Sequence, residues 1–412
     1  MGLTRMPSSH PKVITIINRL DIGGTAVNTI PLVYELRNDF DILVLYGAKE
    51  SDEAAIKYLL ENNPGIAIQK IKSLNRGVHL IDDVIGFITI IKAIKTHKAE
   101  IVHTHGSKAG LLGRLAAWLL RVPVRIHTFH GHLFHSYFNR ITTRAVIQLE
   151  TFLSKISTSI IALSREQKHE LVHVFKIANE AKVHIIPLGI DQQYFCTGAL
   201  QKRENFRRQF NVSDSDLAIG IVGRIAPIKN HLLFIDTAIS LLKEGYGNIT
   251  FLIVGDGEQT AEIKKYLAQK KVSFPGDKTI FSKIIFTSWY TNIAEVQNGL
   301  DILVLTSHNE GTPLSVIEAQ ICGKPVIATN VGGVKDIIIN EKTGFLVEHG
   351  NMKQLKERLK DLIDNKELRE KMGLQAHIFA QQNFSRKKQA EQTKCLYEES
   401  LNKYRVLKSG FK

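Results

Sequence analysis

Residues 301–330 have the sequence DILVLTSHNEGTPLSVIEAQICGKPVIATN, in which two short apolar runs flank a segment with helical spacing. The runs at Asp301–Leu305 and Pro325–Ala328 predict β-strands, because they are short and rich in β-branched residues. Between them, Thr312 and Pro313 stand at the positions expected for an N-cap and a first helical residue. A strand, a helix and a second strand in this order are typical of a parallel sheet covered by helices.

The same alternation of strand and helix runs through the rest of the chain. Further strands are predicted at Val13–Ile17, Ile42–Leu45, Ile101–Val102, Val124–His127, Ser159–Ala162, Leu217–Val222, Thr250–Val254 and Lys283–Phe286. One doubly wound sheet rarely needs so many strands, so we predict an α/β fold with two consecutive Rossmann-like domains. They cover residues 1–190 and 191–385, and an amphipathic helix follows over residues 386–412.

The composition of the 412-residue chain is that of an ordinary globular protein, with 44% hydrophobic and 23% charged residues. It excludes the disordered, collagen-like and disulfide-rich classes. The three cysteines lie far apart, and the sequence shows no signal peptide and no apolar run long enough to span a bilayer. We therefore expect a soluble cytoplasmic protein. The net charge of +14 suits phosphate-bearing ligands, anionic membranes and nucleic acid equally well.

The loop that follows the first of the two quoted strands carries the strongest candidate site. A helix that begins near Thr312 leaves the N–H groups of Leu314 and Ser315 free to bind an anion. Glu310 precedes this helix and Glu318 lies within it. Since sugar hydroxyls bind to carboxylates and diphosphates bind to N–H donors, the combination predicts a nucleotide-sugar site. The alternative is that the helix dipole alone favours a glutamate in this region.

Two further loops that follow predicted strands contain candidate phosphate ligands. In GRIAPIKN, residues 223–230, Arg224 and Lys229 place two cations beside the start of a helix. A lysine there is unfavourable unless an anion compensates its charge. The pair Gly23 and Gly24 follows the first strand and allows a phosphate to approach the backbone closely. The alternatives are a solvated loop with two chance basic residues and an ordinary glycine turn.

Histidines cluster in two other loops, VHTHGSKAG at residues 102–110 and HTFHGHLFHSYF at residues 127–138. The spacings His103/His105 and His130/His132 resemble those of metal ligands, but no cysteine or carboxylate constellation completes a site, so we expect no metal. Two nucleotide-binding motifs are missing. VGDGEQT has threonine where a dinucleotide fingerprint requires glycine or alanine, and no P-loop sequence occurs.

These motifs occur in the order found in the family-4 retaining glycosyltransferases (glycosyl transferases group 1), and the chain resembles that family over nearly its whole length. The matching elements are the Gly-Gly loop, HTFHGH, SREQ, IIPLGID, GRIAPIKN, VGDG, NEGTPLSVIEA and GGVKD followed by TGFLV. The Glu-x7-Glu element with the upstream Arg and Lys is the most specific. The resemblance implies the GT-B fold, in which two Rossmann-like doubly wound domains face each other across a cleft and a C-terminal helix crosses back to the N-terminal domain.

The resemblance also assigns roles to the candidate residues. It implies that Arg224 and Lys229 neutralise the diphosphate of the donor. Glu318 is then expected to bind the ribose hydroxyls and Glu310 the transferred sugar, which His130 contacts from the N-terminal domain. The remaining substrate-binding candidates are Gly23, Gly24, Thr312, Leu314 and Ser315.

The activity that the resemblance implies is transfer of a hexosyl or N-acetylhexosaminyl group from a nucleotide-diphosphate sugar to a glycan or lipid-linked acceptor, with retention of the anomeric configuration. A UDP-sugar is the favoured donor, although TSWY at residues 287–290 departs from the family pattern beside the base. We expect a role in cell-surface polysaccharide or glycolipid synthesis, no cofactor and no nucleic acid partner. The open alternatives are a GT-B epimerase or phosphorylase, an inactive sugar-nucleotide-binding paralogue and a basic nucleic-acid-binding protein.

An anionic membrane surface is a further expected partner, and peripheral attachment would place the cytoplasmic protein at the membrane face. Its candidate contacts are basic and aromatic residues of helices in the N-terminal domain, namely Lys92, Lys95, Lys98, Arg114, Trp118 and Arg121. The alternative is that these side chains form ordinary solvated helix faces.

Overall fold

The computed structural model describes residues 10–20, 24–47, 53–74, 79–131, 140–270 and 283–409. The chain divides into two compact units. Unit 1 comprises Met1–Gly189 together with Arg386–Lys412, and unit 2 comprises Ile190–Ser385. No helix among the described residues combines the length and the apolar character needed to cross a bilayer.

Unit 1 is built on a parallel sheet that has seven strands among the described residues, in the order β3-β2-β1-β4-β5-β6-β7. The strands are β1 (Lys12–Ile17), β2 (Asp41–Tyr46), β3 (Ala67–Lys70), β4 (Ile101–His105), β5 (Val124–Phe129), β6 (Ser159–Ala162) and β7 (Val183–Ile185). Its helices are α1 (Gly24–Leu36), α2 (Glu53–Glu61), α3 (Leu80–His97), α4 (Ser107–Leu119), α5 (Arg140–Ile156) and α6 (Arg165–His169), which a π-helical turn extends over Glu170–Val174. The central strands are almost fully buried, which explains why they are continuous apolar runs rather than alternating ones.

Unit 2 repeats this plan with six strands among the described residues, in the order β10-β9-β8-β11-β12-β13. The strands are β8 (Leu217–Val222), β9 (Ile249–Val254), β10 (Ile284–Ser288), β11 (Ile302–Leu305), β12 (Val326–Thr329) and β13 (Gly344–Val347). The helices are α7 (Gln192–Cys196), α8 (Ala199–Gln209), α9 (His231–Lys243), α10 (Thr260–Gln269), α11 (Ile293–Gly299), α12 (Leu314–Ile321), α13 (Val334–Ile337), α14 (Met352–Asp364) and α15 (Lys366–Asn383). Two doubly wound parallel sheets therefore confirm the predicted α/β fold class.

The last helix, α16 (Arg386–Ser409), belongs to unit 1. Its Tyr397 is buried and packs edge-on against Phe40, with ring centroids 5.2 Å apart. Its Gln389 exchanges hydrogen bonds with the buried Asn28 of α1 and accepts one from the Gly189 backbone. The C-terminal helix is thus fixed by both apolar and polar contacts to the N-terminal part of the chain.

The strand order shows where each unit offers a binding crevice. In unit 1 the order reverses between β1 and β4, and in unit 2 it reverses between β8 and β11. Ligands of open parallel sheets bind beyond the carboxyl ends of the strands at such a reversal, because the adjacent loops leave in opposite directions. The loops that follow β1, β4, β8 and β11 are therefore expected to line the binding crevices.

One predicted membrane contact is wrong. Arg114 lies inside unit 1, where its Nη2 atom is 2.7 Å from the Glu150 carboxylate of α5 and its Nε–H donates to the Gly110 carbonyl at 2.8 Å. Only 1% of its side chain is exposed. Because Glu150 neutralises the guanidinium within the protein, Arg114 cannot contact a membrane surface.

Candidate active site

The loops that follow β8 and β11 are fastened to each other in unit 2. The His308 N–H donates to the Ile228 carbonyl at 2.8 Å. The Thr306 hydroxyl donates to the carbonyls of Lys229 and Asn230, at 3.1 and 2.9 Å. These bonds hold the GRIAPIKN loop against the loop that carries Glu310, so the two strongest sequence candidates lie at one place.

Lys229 and Glu310 form an ion pair at this place. The Lys229 ammonium is 2.6 Å from Glu310 Oε1, and the Ser307 hydroxyl donates to the same oxygen at 2.6 Å. Both charged side chains are mostly buried. The pair fixes the direction of the carboxylate, and none of the described residues hydrogen-bonds to its second oxygen. Glu310 can therefore accept a further hydrogen bond from a hydroxyl.

Arg224 follows Gly223 directly and is exposed. Among the residues that the structure describes, none forms an ion pair or hydrogen bond with its guanidinium, so its positive charge is available to a ligand. A side chain at Gly255 would come within 2.0 Å of the Gly223 carbonyl, and Gly255 has φ of +137°. The glycine of VGDG is therefore required for the close packing of this loop against the start of GRIAPIKN.

The helix that follows Glu310 begins one residue later than the sequence predicts. The predicted N-cap is Thr312, but α12 begins at Leu314 with Pro313 as its N-cap, in extended backbone with φ −72° and ψ 116°. No side chain caps this end. The amides of Leu314 and Ser315 lie in the first turn, where N–H groups have no intrahelical acceptor, so they remain candidate donors to an anion.

Because Pro313 is the N-cap of α12, Thr312 does not cap this helix. Its hydroxyl is buried and finds no hydrogen-bond partner among the described residues. A buried hydroxyl without a partner is unfavourable by about 1–3 kcal/mol. A ligand that hydrogen-bonds to Thr312 at the start of α12 would remove this penalty.

Glu318 lies one turn further along α12 and is 7% exposed. Burial raises the pKa of its carboxyl to about 7, and a weak hydrogen bond from the Gln297 amide, at 3.4 Å, opposes the shift. The same Gln297 amide donates to the Ser315 carbonyl at 3.3 Å. Gln297 is fully buried on α11 and holds Glu318 against the first turn of α12. This residue could not be predicted from the sequence, because a glutamine in a short helix carries no recognisable motif.

His130 lies at the carboxyl edge of the sheet in unit 1. Its Nε2 atom is 2.9 Å from Nδ1 of His105, which ends β4, so one imidazole donates and the other accepts. Desolvation lowers the pKa of His130 to about 4 and that of His105 well below its ordinary value. His130 lines a small cavity of about 30 Å³ together with Thr128, Glu150 and the backbone of Gly106. The two imidazoles at this edge are therefore uncharged near neutral pH.

The neighbouring histidines are satisfied within the protein. His103 bonds to the Tyr397 hydroxyl and to the Thr128 hydroxyl, both at 2.7 Å. His127 bonds to the Thr104 hydroxyl at 2.8 Å. Among the described residues, no three His, Cys, Asp or Glu side chains are grouped so that they could hold a metal ion. His132 of the predicted spacing lies outside the described residues, and the expectation of no metal stays a prediction.

The predicted site residues divide between the two units. Unit 2 holds Arg224, Lys229, Glu310, Thr312, Leu314, Ser315 and Glu318 on the loops and helix just described. Unit 1 holds His130 and Gly24, which is the exposed first residue of α1. Gly23 lies outside the described residues. The predicted phosphate cradle combines Gly24 with amides of unit 2, so it stays a prediction.

Comparisons with known proteins give the family. The model "Glycosyltransferase Family 4" matches residues 22–194, and the model "Glycosyl transferases group 1" matches residues 202–378. A UDP-Gal:alpha-D-GlcNAc-diphosphoundecaprenol alpha-1,3-galactosyltransferase of Escherichia coli is 31% identical over 72% of this chain and 75% of its own length. The chain belongs to the family-4 glycosyltransferases. This confirms the predicted family and the prediction that the chain is an enzyme that transfers glycosyl groups.

Further similarities agree with this assignment. The capsular polysaccharide biosynthesis glycosyltransferase CapM of Staphylococcus aureus is 27% identical over 79% of this glycosyltransferase and 83% of its own length. The structure of Anabaena HepE in complex with UDP and glucose superimposes with a TM-score of 0.79 at 19% identity, covering 95% of this chain and 100% of that one. The latter similarity supports the GT-B fold.

Proposed function

We propose that this glycosyltransferase moves a hexosyl or N-acetylhexosaminyl group from a UDP-sugar to a glycan or lipid-linked acceptor, with retention of configuration, in polysaccharide or glycolipid synthesis. The observation that carries the proposal is the meeting of Lys229, Glu310 and the uncapped start of α12 at the strand-order reversal of unit 2. The names of the relatives support it, because the Escherichia coli enzyme is described with UDP-Gal and a diphosphoundecaprenol acceptor, and CapM with capsular polysaccharide.

The donor is proposed to bind in unit 2 through charge complementarity. Its diphosphate would be bound by Arg224, Lys229 and the amides of Leu314 and Ser315. The unpartnered hydroxyl of Thr312 supplies a further hydrogen bond. Lys229 is already paired with Glu310, so the diphosphate would share this ammonium rather than find it free.

The two glutamates are proposed to bind hydroxyl groups in different ways. Glu310 is ion-paired with Lys229, and its second oxygen can accept a hydrogen bond from a sugar hydroxyl. Glu318 is buried and has a pKa of about 7, so it binds the ribose diol most strongly when the carboxyl is ionised. This difference predicts that donor binding weakens as the pH falls below about 7.

The transfer step follows from the charges. The bond between the anomeric carbon and the phosphate oxygen breaks, and the pair of electrons leaves with the diphosphate. Arg224, Lys229 and the helix amides stabilise this negative charge as it develops, without any reorganisation. The acceptor oxygen bonds to the anomeric carbon on the same face, and its proton passes to the departing phosphate oxygen.

Glu310 is poorly suited to act as a nucleophile in this step. One of its oxygens already accepts from Lys229 and Ser307, which withdraws charge from the carboxylate. We therefore propose that it orients the transferred sugar, and that retention arises on a single face without a glycosyl-enzyme intermediate. His130, held neutral by burial, would contribute a hydrogen bond to the sugar rather than a charge.

The protein itself provides the cations that a diphosphate needs, so we propose that transfer requires no divalent metal. We also propose that the enzyme works at the cytoplasmic face of the membrane, since a lipid-linked acceptor would be presented there. Unchanged turnover after exhaustive treatment with EDTA is the expected result. A requirement for added Mg²⁺ or Mn²⁺ would contradict the metal-free proposal.

The experiment that tests the proposed function combines a binding screen with product analysis. A panel of UDP-, GDP- and ADP-sugars is screened by thermal shift, and the best donor is incubated with diphosphopolyprenol-linked acceptors. We expect a glycosylated lipid whose anomeric configuration, determined by NMR, equals that of the donor. Inversion of configuration would overturn retention, and an epimerised or phosphorolysed sugar without a glycosylated product would overturn glycosyl transfer.

A further inference from the structure

Helix α3 exposes an unusual row of aliphatic side chains. Five large aliphatic residues of its first half have between 46% and 80% of their surface exposed: Leu80, Ile81, Val84, Ile85 and Ile88. They recur at spacings of three and four residues, so they form one face of the helix. The opposite face carries Gly86, Ile90, Ala93 and Ile94, which are buried against the sheet of unit 1. The exposed row is therefore not the side that stabilises the fold.

The same face becomes basic towards the end of the helix. Lys92 and Lys95 continue the row at the same spacing, and Lys98 follows as the C-cap. All three are exposed, and none of them forms an ion pair with a residue that the structure describes. At the other end, Asp83 is neutralised by Lys108 at 2.5 Å, which leaves Asp82 as the remaining acidic residue of this helix. The α3 face, residues 80–98, thus combines an apolar half with a net positive half.

We propose that the α3 face docks on the surface of an anionic lipid bilayer. Apolar side chains on one part of an amphipathic helix enter the boundary between headgroups and acyl chains, and lysines on the same face contact the phosphates. A second copy of the chain fits this face poorly, because the lysines of two copies would repel each other. A patch of aliphatic residues of this size is otherwise unfavourable on a monomer.

The α3 face differs from the membrane contact that the sequence suggests. That suggestion relied on basic and aromatic residues and included Arg114, which is buried. The structure adds the five aliphatic residues, which sequence periodicity assigns to the core as readily as to the surface. Helix α4, which packs beside α3, ends in the exposed residues Trp118 and Leu119, at the end of α4 remote from the aliphatic half of α3.

The position of the α3 face suits access to a lipid-linked acceptor, an inference that rests on the proposed function. The salt bridge between Asp83 and Lys108 joins the first turns of α3 and α4, and α4 begins directly after β4. The aliphatic half of α3 therefore lies towards the carboxyl edge of the sheet, where His105 and His130 are found. A bilayer docked there would present a lipid-linked acceptor to the same edge of unit 1.

The test is flotation of the purified full-length chain with vesicles of phosphatidylcholine, alone or mixed with phosphatidylglycerol. We expect binding to the mixed vesicles and at least tenfold weaker binding of a triple variant with Ile81→Gln, Ile85→Gln and Ile88→Gln. A double variant with Lys92→Gln and Lys95→Gln should bind about fivefold more weakly for each lysine removed. Because Lys98 remains, its binding should still respond to salt, but less steeply than that of the wild type. The matched controls are Leu374→Gln with Ile378→Gln in α15, and Lys70→Gln with Lys72→Gln, all at exposed positions.

Each other outcome overturns the proposal. Equal binding of the triple variant and the wild type would assign the membrane contact elsewhere, and absence of binding to anionic vesicles would exclude it. A change in oligomeric state of the triple variant, measured by light scattering, would identify a second copy as the partner. UDP-sugar binding by the wild type is measured in parallel. If the wild type does not bind UDP-sugars, the proposed function is contradicted, whereas the vesicle experiment still tests membrane docking independently.

Discussion

The carboxyl edges of the two sheets have the same topology but differ in charge. In unit 2 the reversal of strand order carries Arg224, Lys229, Glu310 and Glu318, which are charged or titrate close to neutral pH. In unit 1 the corresponding edge carries histidines whose pKa values burial holds far below neutrality. The same Rossmann-like scaffold thus provides an anion site in one unit and a neutral polar site in the other, so the fold places a site and the side chains decide its chemistry.

The largest expected effect is the removal of a cation from unit 2. Lys229→Ala should lower kcat at least about a hundredfold, since loss of one preorganised group that stabilises developing charge costs about 3–4 kcal/mol. Arg224→Ala should behave similarly. Initial rates at saturating donor provide the measurement, and Lys353→Ala, an exposed lysine of α14, is the control. A Lys229→Ala enzyme that folds normally and turns over at the wild-type rate would remove the basis for the anion site.

The second prediction uses the opposite pH responses of the two units. The pKa of Glu318 is raised from 4.5 to about 7 in the folded protein, so the unfolded chain releases this proton first and stability falls as the pH rises from 4.5 to about 7. Glu318→Gln should abolish this loss. It should therefore be more stable than the wild type above pH 7, by on the order of 3 kcal/mol. The buried histidines act in the reverse sense, because their lowered pKa values make unit 1 less stable as the pH falls below 6.5.

Urea unfolding of the wild type and Glu318→Gln across this pH range separates the two contributions. Glu258→Gln, at an exposed position of unit 2, should leave the pH profile unchanged. Parallel profiles for the wild type and Glu318→Gln would show that the carboxyl is ionised at all these pH values. In enzyme assays the same substitution should raise the KM for the donor and remove its increase at acidic pH.

A smaller effect is expected at the neutral edge. His130→Ala should lower kcat by about tenfold, because a hydrogen bond between uncharged groups contributes about 0.5–1.5 kcal/mol, less than a bond to a charge. The pH dependence of kcat should be that of the wild type, since the imidazole is uncharged near neutrality. His97→Ala is the control, because this histidine bonds to the Asp41 carbonyl at the start of β2, on the opposite edge of the sheet. A pH profile that changes with His130→Ala would mean that this imidazole titrates during the reaction.

The comparison of the two units also shows which features could be predicted from the sequence. The β-branched runs predicted the two sheets, because a strand buried on both faces has to be apolar throughout. The loops after β8 and β11 could be located because their motifs follow strands. What failed or was missing depends on contacts between distant residues: Gln297 beside Glu318, the burial of Arg114 by Glu150, and the start of α12, which Pro313 shifts to Leu314. Periodicity also could not tell that one apolar face of α3 stays exposed, because it reports that a helix has two faces but not what covers them.

The last prediction concerns how each edge is supported, and it affects stability rather than turnover. The loops of unit 2 hold each other, whereas in unit 1 His103 is held by Tyr397 of α16, nearly three hundred residues away in sequence, through a 2.7 Å hydrogen bond in the core. Tyr397→Phe would keep the ring but leave Nδ1 of the buried His103 without its hydrogen-bond partner. This loss should destabilise unit 1 by about 1–3 kcal/mol. Chemical denaturation of this variant and of Tyr404→Phe, a more exposed tyrosine of the same helix, provides the test. If the two variants are equally stable, the C-terminal helix supports the histidine edge by apolar packing alone. The hydrogen bond between Tyr397 and His103 would then not contribute to the difference between the two edges.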